Sequence, residues 1–276
     1  MGLETIIYEV RNKVAYVTLN RPDHGNALNE TMHKELIQTW EAVNADENVW
    51  VIVIQGAGKD FCIGEDPHEI AEAYRKGGKV ARWAKDEAWL KKHSQPPIFG
   101  WPRPMDAFPG KPILTVVQGR CHGTGLMFLA NTAVTIASDD AEFSLPQVSQ
   151  GTAPMQEILV LTRTMARVPV LGLALLGKHG KWTADRAREL GVVLETRPRA
   201  KLQERVDEVV QMLAYQSAPL AVRAGFLEWW MSFDLPPWER RQVAETYSAE
   251  IQVATLDFKE GPLAFAQKRK ARWNAG

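Results

Sequence analysis

The sequence predicts an α/β fold, with a largely parallel sheet laid down by alternating strand and helix segments and continued into a helical C-terminal region. Three observations predict it. Short apolar runs of the kind that form buried parallel strands recur at residues 14–19, 49–54, 113–117 and 134–137. Helical periodicity or glycine-rich turns fall between them, as βαβ units require. From about residue 202 to 270 the pattern is almost wholly helical. This divides the chain into a core over 1–200 and a helical region over 201–276, with no clean linker between them and no internal repeat.

The elements follow in order. The first strand, residues 14–19, stops at Asn20-Arg21-Pro22, and Asp23-His24-Gly25-Asn26 is turn chemistry. A helix follows from Asn29, with Met32, Leu36 and Trp40 spaced to share a face. The run at 49–54 gives way to a glycine- and charge-rich loop over 57–66, and residues 67–93 are polar and helix-compatible. Residues 94–110 hold Pro96, Pro97, Pro102, Pro104 and Pro109, a density that neither a helix nor a central strand accommodates, so a long irregular loop is expected. The strand at 113–117 leads through Gln118-Gly119-Arg120-Cys121-His122-Gly123-Thr124-Gly125 into a buried helix over 126–131. After the strand at 134–137 the pattern is helical from Pro154, with a helix start at Thr183-Ala184-Asp185 and a stop at Gly191.

Composition bounds the function. With 276 residues, 45% of them apolar and 24% charged, the chain is an ordinary globular protein of one large domain, or one domain plus an appendage. No apolar run approaches the roughly 18–20 residues that span a bilayer. Met1-Gly2-Leu3-Glu4-Thr5 has neither a basic start nor an apolar signal core, so a cytoplasmic protein with no membrane partner is expected. Lysine plus arginine and aspartate plus glutamate balance at 33 each, which argues against a nucleic-acid partner. The two cysteines, Cys62 and Cys121, are too few for a disulfide framework or a structural zinc site, and no metal is expected. Ten tryptophans imply either a deep core or apolar contact surface.

Five segments, in order, carry a resemblance. They are Leu19-Asn20-Arg21-Pro22 with Asn26-Ala27-Leu28-Asn29; Gly58-Lys59-Asp60-Phe61-Cys62-Ile63-Gly64-Glu65-Asp66; Gly119 to Gly125; Trp182-Thr183-Ala184 with Ala187 and Glu189-Leu190-Gly191-Val192-Val193; and Glu260-Gly261 with Ala264-Phe265-Ala266-Gln267-Lys268-Arg269-Lys270. Each is a weak signal alone. Together they resemble the crotonase (enoyl-CoA hydratase/isomerase) superfamily over nearly the whole chain, with residues 94–105 similar to an insertion. The resemblance implies a crotonase-like spiral of stacked ββα turns. The C-terminal helices would cover the site and build a homotrimer or a dimer of trimers.

It also implies a site. The backbone N–H groups of Glu65 and Thr124 would form an oxyanion hole for the carbonyl of a coenzyme A thioester, which would be the substrate, with no resident cofactor. Gly64, Gly123 and Gly125 would let the backbone approach a ligand closely. Helix dipole would favour negative charge beyond Gly123. Cys62, Asp66, Met127 and Gln147 would line the substrate site, Asp66 mainly by holding its loop. Lys268, in a basic cluster with Arg269 and Lys270, would reach the coenzyme A phosphates, although Asp23 on the nucleotide side would repel them.

The proton-handling residues depart from the family pattern. Met127 and Gln147 stand where typical hydratases place their two glutamates, and neither transfers a proton at neutral pH. Glu157, in the first turn of a helix after Pro154, is the candidate base, and His122 is a candidate proton shuttle. Three readings stay open. The first is an acyl-CoA lyase or isomerase with non-standard acid/base residues and an apolar acyl group. The second is a coenzyme A-independent carbon–carbon hydrolase of cyclic β-diketones, motivated by His33, Asp23 and the missing glutamates. The third is a non-catalytic member of the scaffold. Trp229, Trp230, Phe233 and Trp238, with Trp83, Trp89, Phe99 and Trp101 near the insertion, would either pack or line a bulky acyl pocket.

Overall fold

The structure, a computed structural model, describes residues 2–75, 110–232 and 235–274. Its strands are β1 (Ile6–Arg11), β2 (Val14–Leu19), β3 (Val51–Gly56), β4 (Ile113–Val117), β5 (Arg120–His122), β6 (Val134–Ser138), β7 (Glu142–Ser144), β8 (Lys181–Thr183) and β9 (Glu195–Arg197). Six of them form one sheet in the order β1-β2-β3-β4-β6-β9, and β5-β7-β8 form a second. In the large sheet only the β1–β2 hairpin is antiparallel. Its two-residue turn is Asn12-Lys13, both at positive φ (47° and 68°), which matches the right-handed twist of the flanking strands.

Both faces of its central strands β2, β3, β4 and β6 are largely buried, so these read as near-continuous apolar runs. On one face Ala15, Val17, Leu19, Ile52, Ile54, Val117 and Ala137 join a core that includes helix α1 (Glu30–Ala45). On the other, Val14, Val51, Val53, Leu114, Val116 and Ile136 form a second core. Residues 51–54 of β3 alternate between the two, as a period of two along a strand dictates.

The remaining helices are α2 (Pro67–Arg75), α3 (Met127–Ala130), α4 (Met155–Thr164), α5 (Arg167–Leu175), α6 (Ala184–Glu189), α7 (Leu202–Gln211), α8 (Pro219–Ser232), α9 (Pro237–Ala254) and α10 (Asp257–Ala266). The start at Thr183 is as expected: its side chain accepts from Arg186 N and caps α6, and Gly191 follows at φ +74°. The C-terminal region does not stand apart from the sheet. Leu202, Val206, Val209 and Val210 of α7, at helical spacing, fill the second core. Helix α9 packs on α8, where Trp229 stacks on Phe226 at 5.9 Å between ring centroids and meets Trp230 at the same distance.

The structure also adds and trims elements. β1 alternates a buried Ile6 with half-exposed or exposed positions, so it lacks the apolar run of a central strand. β5, β7, β8 and β9 have three residues each, too few for any periodicity to show. The buried helix over 126–131 is shorter than expected, because a 3-10 turn over Gly123–Leu126 precedes α3. Of residues 67–93, α2 accounts for the first nine. The rest, with the proline-rich stretch, Trp83, Trp89, Phe99 and Trp101, lies outside the described residues, as does Phe233.

Candidate functional site

Two loops leave the C-terminal ends of β3 and β4, and backbone pairing zips them together. The first loop is folded by Asn26, fully buried at φ 53°. Its Nδ2 donates to the carbonyls of Ala57 (2.9 Å) and Asp60 (2.8 Å), and its Oδ1 accepts from Arg21 N (2.8 Å). Arg21 also pairs with Asp66 (2.9 Å) and donates to Ala27 O (2.6 Å). Asp66 in turn accepts from His68 N at 3.0 Å and Glu69 N at 3.4 Å at the start of α2. Burial would raise the Asp66 carboxyl, but the Arg21 and backbone hydrogen bonds win and lower it. Asp66 is thus committed to holding the loop.

The second loop is laid against the first. Asp60 accepts from Arg120 N (3.0 Å), Nε (3.0 Å) and Nη2 (2.6 Å). Phe61 N and Cys62 N both donate to Arg120 O, and His122 N donates to Cys62 O at 2.9 Å. Glycine is required where the backbones meet. A Cβ on Gly119 (φ +57°) would lie 2.4 Å from Lys59 O, and one on Gly125 would lie 2.7 Å from Cys62 O. At Gly64 (φ +92°) the loops also meet, since a Cβ there would lie 3.0 Å from His122 O and 3.2 Å from the nitrogen of Thr124.

That geometry orients two N–H groups. Gly64 O accepts from Leu28 N (2.8 Å) and Asp66 N donates to Leu28 O (2.9 Å), so Glu65 sits in a parallel bridge. In an extended chain successive N–H groups alternate sides, so the Glu65 N–H faces away from Leu28, toward the second loop. The Thr124 N–H lies in the first turn of the 3-10 helix, where N–H groups have no intrahelical acceptor. Among the described residues neither N–H donates to a protein acceptor.

Side chains converge on the same place. Glu157, in the first turn of α4, is 8% exposed. Its Oε1 accepts from Gln147 Nε2 at 2.9 Å and from Thr124 Oγ1 at 3.5 Å. Burial, the largest cause, pushes its carboxyl above the usual range; its own N–H, Gln147 and Thr124 offset part of this, and the Glu65 charge adds to it. Gln147 also comes within 3.6 Å of where a Cβ on Gly123 would lie. The Glu65 side chain turns back to α1, where its Oε2 meets His33 Nε2 at 2.9 Å. A carboxylate only accepts, so in this pair Nε2 carries the proton.

The loops thus bring together Gly64, Glu65, Gly123, Thr124, Gln147 and Glu157. Cys62 is fully buried and gives the ladder its backbone; burial pushes its thiol up to about 12, so it is inert as a nucleophile. Its side chain offers a ligand no surface. Met127 is 2% exposed, at the first position of α3. His122 is held elsewhere: its Nε2 meets Glu142 Oε1 at 3.0 Å, and Lys181 Nζ donates to the same carboxylate at 2.9 Å. Burial lowers the His122 imidazole despite that carboxylate, whose effect is to raise it. Lys268 is exposed at the end of α10 (φ 52°), next to Arg269, which is clamped on Glu260. Among the described residues no cluster of three or more His, Cys, Asp or Glu side chains forms a metal site. No described helix is long and apolar enough to cross a membrane.

The sequence offered His33 as a motive for the diketone-hydrolase reading and gave no sign of its pairing with Glu65.

Two glycine loops zipped together beside a buried carboxylate, on a largely parallel sheet, make up the candidate site, and known proteins share this architecture. The family model described as enoyl-CoA hydratase/isomerase matches residues 9–276. A probable enoyl-CoA hydratase of Rhizobium meliloti is 30% identical, with 99% of each chain covered. The mevalonyl-coenzyme A hydratase SIDH of Beauveria bassiana is 30% identical over 94% of this chain and 91% of its own. An enoyl-CoA hydratase/isomerase structure from Mycobacterium paratuberculosis superposes with a TM-score of 0.84 at 34% identity, covering 100% of both chains. The chain belongs to the enoyl-CoA hydratase/isomerase family of the crotonase superfamily.

Proposed function

We propose that the chain is a lyase or isomerase acting on an acyl-coenzyme A thioester. The N–H groups of Glu65 and Thr124 hold the thioester oxygen as negative charge develops on it, and Glu157 moves the proton at the adjacent carbon. The observation that carries this is the pair of unengaged N–H groups beside a buried carboxylate whose proton is held more tightly than usual. Donors fixed in advance at a developing oxyanion are often the largest catalytic contribution. A carboxyl raised by burial serves as acid in one direction and base in the other. Lys268 is proposed to meet the coenzyme A phosphates.

Calorimetric titration with acetoacetyl-CoA, beside free coenzyme A, tests this reading, because the acetoacetyl enolate carries the charge the two N–H groups would bind. Binding well above that of free coenzyme A is expected. No binding would reject the thioester.

A second reading keeps one specific observation. Hydrolysis of a cyclic β-diketone without coenzyme A needs a histidine or acid in the cavity to activate water, and His33 lies on Glu65 of the oxyanion loop. Turnover of a free cyclic diketone, with no response to acetoacetyl-CoA, would establish it in place of the first. A non-catalytic scaffold would bind either ligand without turnover.

We further propose a cytoplasmic homotrimer or dimer of trimers. Trp238, Leu256, Phe258, Leu263 and Phe265 on α9, α10 and the turn between them are exposed apolar side chains, Phe265 to 87%. Light scattering of the purified protein at micromolar concentration should give three or six times the 31.0 kDa of the chain. A monomer would refute this.

A further inference from the structure

The side chain of Glu65 has no role in the mechanism above, yet one of its oxygens is fixed and the other is buried. Its Oε2 is fixed at 2.9 Å by His33, which is 5% exposed on α1. Its Oε1 is buried and, among the described residues, has no hydrogen-bond partner. The side-chain oxygen of Gln147, which holds Glu157, is likewise buried without a partner. Gly64 and Gly123 lie in contact between the two, a Cβ on Gly123 falling 3.6 Å from both Gly64 Cα and Gln147 Nε2. Buried acceptors left unmade are expensive, and each calls for a donor such as water or a substrate hydroxyl.

We propose that the Glu65 carboxylate, fixed by His33, is the second proton-handling group of the site and works opposite Glu157 to add water to, or remove it from, the acyl chain. The proposal rests on the thioester reading above. In the forward direction Glu65 takes a proton from water, and the water oxygen bonds to the β-carbon of a 2-enoyl thioester. The electron pair of the carbon–carbon double bond shifts to make the enolate, whose oxygen lies at the N–H groups of Glu65 and Thr124. Glu157, protonated, then gives its proton to the α-carbon as the carbonyl reforms. The product holds the elements of one water, and the proton on Glu65 returns to Glu157 before the next turnover. A double-bond shift alone needs one such carboxylate, so a pair commits the site to enoyl and 3-hydroxyacyl thioesters. His33 is a positioning residue, acting only through Glu65.

The test uses the full chain with crotonyl-CoA and bulkier aliphatic and aromatic 2-enoyl-CoA esters, following loss of enoyl absorbance, with acetoacetyl-CoA affinity measured in parallel. Glu65→Gln keeps the backbone N–H and should lower kcat for hydration by about 100-fold or more, the scale of lost general acid–base catalysis. Its acetoacetyl-CoA affinity should change by less than about threefold, and Glu65→Asp should recover part of kcat. His33→Asn should lower kcat about tenfold with KM nearly unchanged, a split that general loosening of the fold would not give. Glu65→Gln hydrating within about threefold of wild type would overturn the inference while leaving the thioester reading standing. So would a wild-type chain that binds acetoacetyl-CoA yet hydrates none of the esters. Failure to bind acetoacetyl-CoA at all would overturn both.

Discussion

Burial of the Glu157 carboxyl costs stability at neutral pH, and the proposed proton transfer would use the same burial. Its carboxyl is raised above the ordinary 4.5 chiefly by burial. The folded protein therefore holds that proton more tightly than the unfolded chain. The stability it contributes is present at low pH and is lost as pH rises from 4.5 through the raised folded value. Glu157→Gln keeps the shape and the acceptor for Gln147 but removes the buried charge. It should therefore raise the melting temperature at pH 7–8, with the gain vanishing below about pH 4. Turnover should fall by roughly 100- to 10,000-fold. A thermal scan across pH checks the first outcome and a steady-state assay the second. A variant that is less stable at pH 7 would show that the carboxylate is held more favourably than its burial implies.

At the scale of elements, the site depends on how the first loop is pinned. Asn26 at φ 53° makes three hydrogen bonds from a fully buried side chain, to Arg21, Ala57 and Asp60. At about 1 kcal/mol net for each bond, Asn26→Ala should cost roughly 3 kcal/mol. It should also weaken acetoacetyl-CoA binding, because the Glu65 N–H loses its fixed direction. Urea unfolding and calorimetry together test this; lost stability with unchanged affinity would mean that the Arg120–Asp60 contacts hold the loop unaided. The motif containing Asn26 was legible in the sequence, but its work was not. An asparagine in a turn is commonplace, and only the fold shows that its amide reaches 31 and 34 residues along the chain.

For the whole molecule, the C-terminal region is a folding partner of the sheet. Helix α7 closes the core formed by Val14, Val51, Val53, Leu114, Val116 and Ile136. Fully burying one such side chain stabilises by about 1.5–3 kcal/mol, so six together are comparable to the whole net stability of a typical domain. A chain ending at residue 200 should therefore fail to fold or should aggregate, although the sequence pattern changes near that point. Size-exclusion chromatography with circular dichroism checks this. A soluble fragment with native ellipticity would show that the sheet is stable with one face open.

The sequence by itself determined the α/β class, the four central strands and the two glycine loops, because these follow from local rules. A doubly buried strand needs an unbroken apolar run, and backbones in contact need glycine. It also picked out Glu157, through its place in the first turn after Pro154. Only the tertiary structure decided which polar side chains share the site. It brought His33 from α1 to Glu65, and it tied His122 to Glu142. Such pairings join residues 32 and 20 positions apart, and their partners are set by how helices and loops pack on the sheet. No periodicity or spacing along the chain encodes that packing, so the pairing of Glu65 with His33 becomes readable only once the chain is folded.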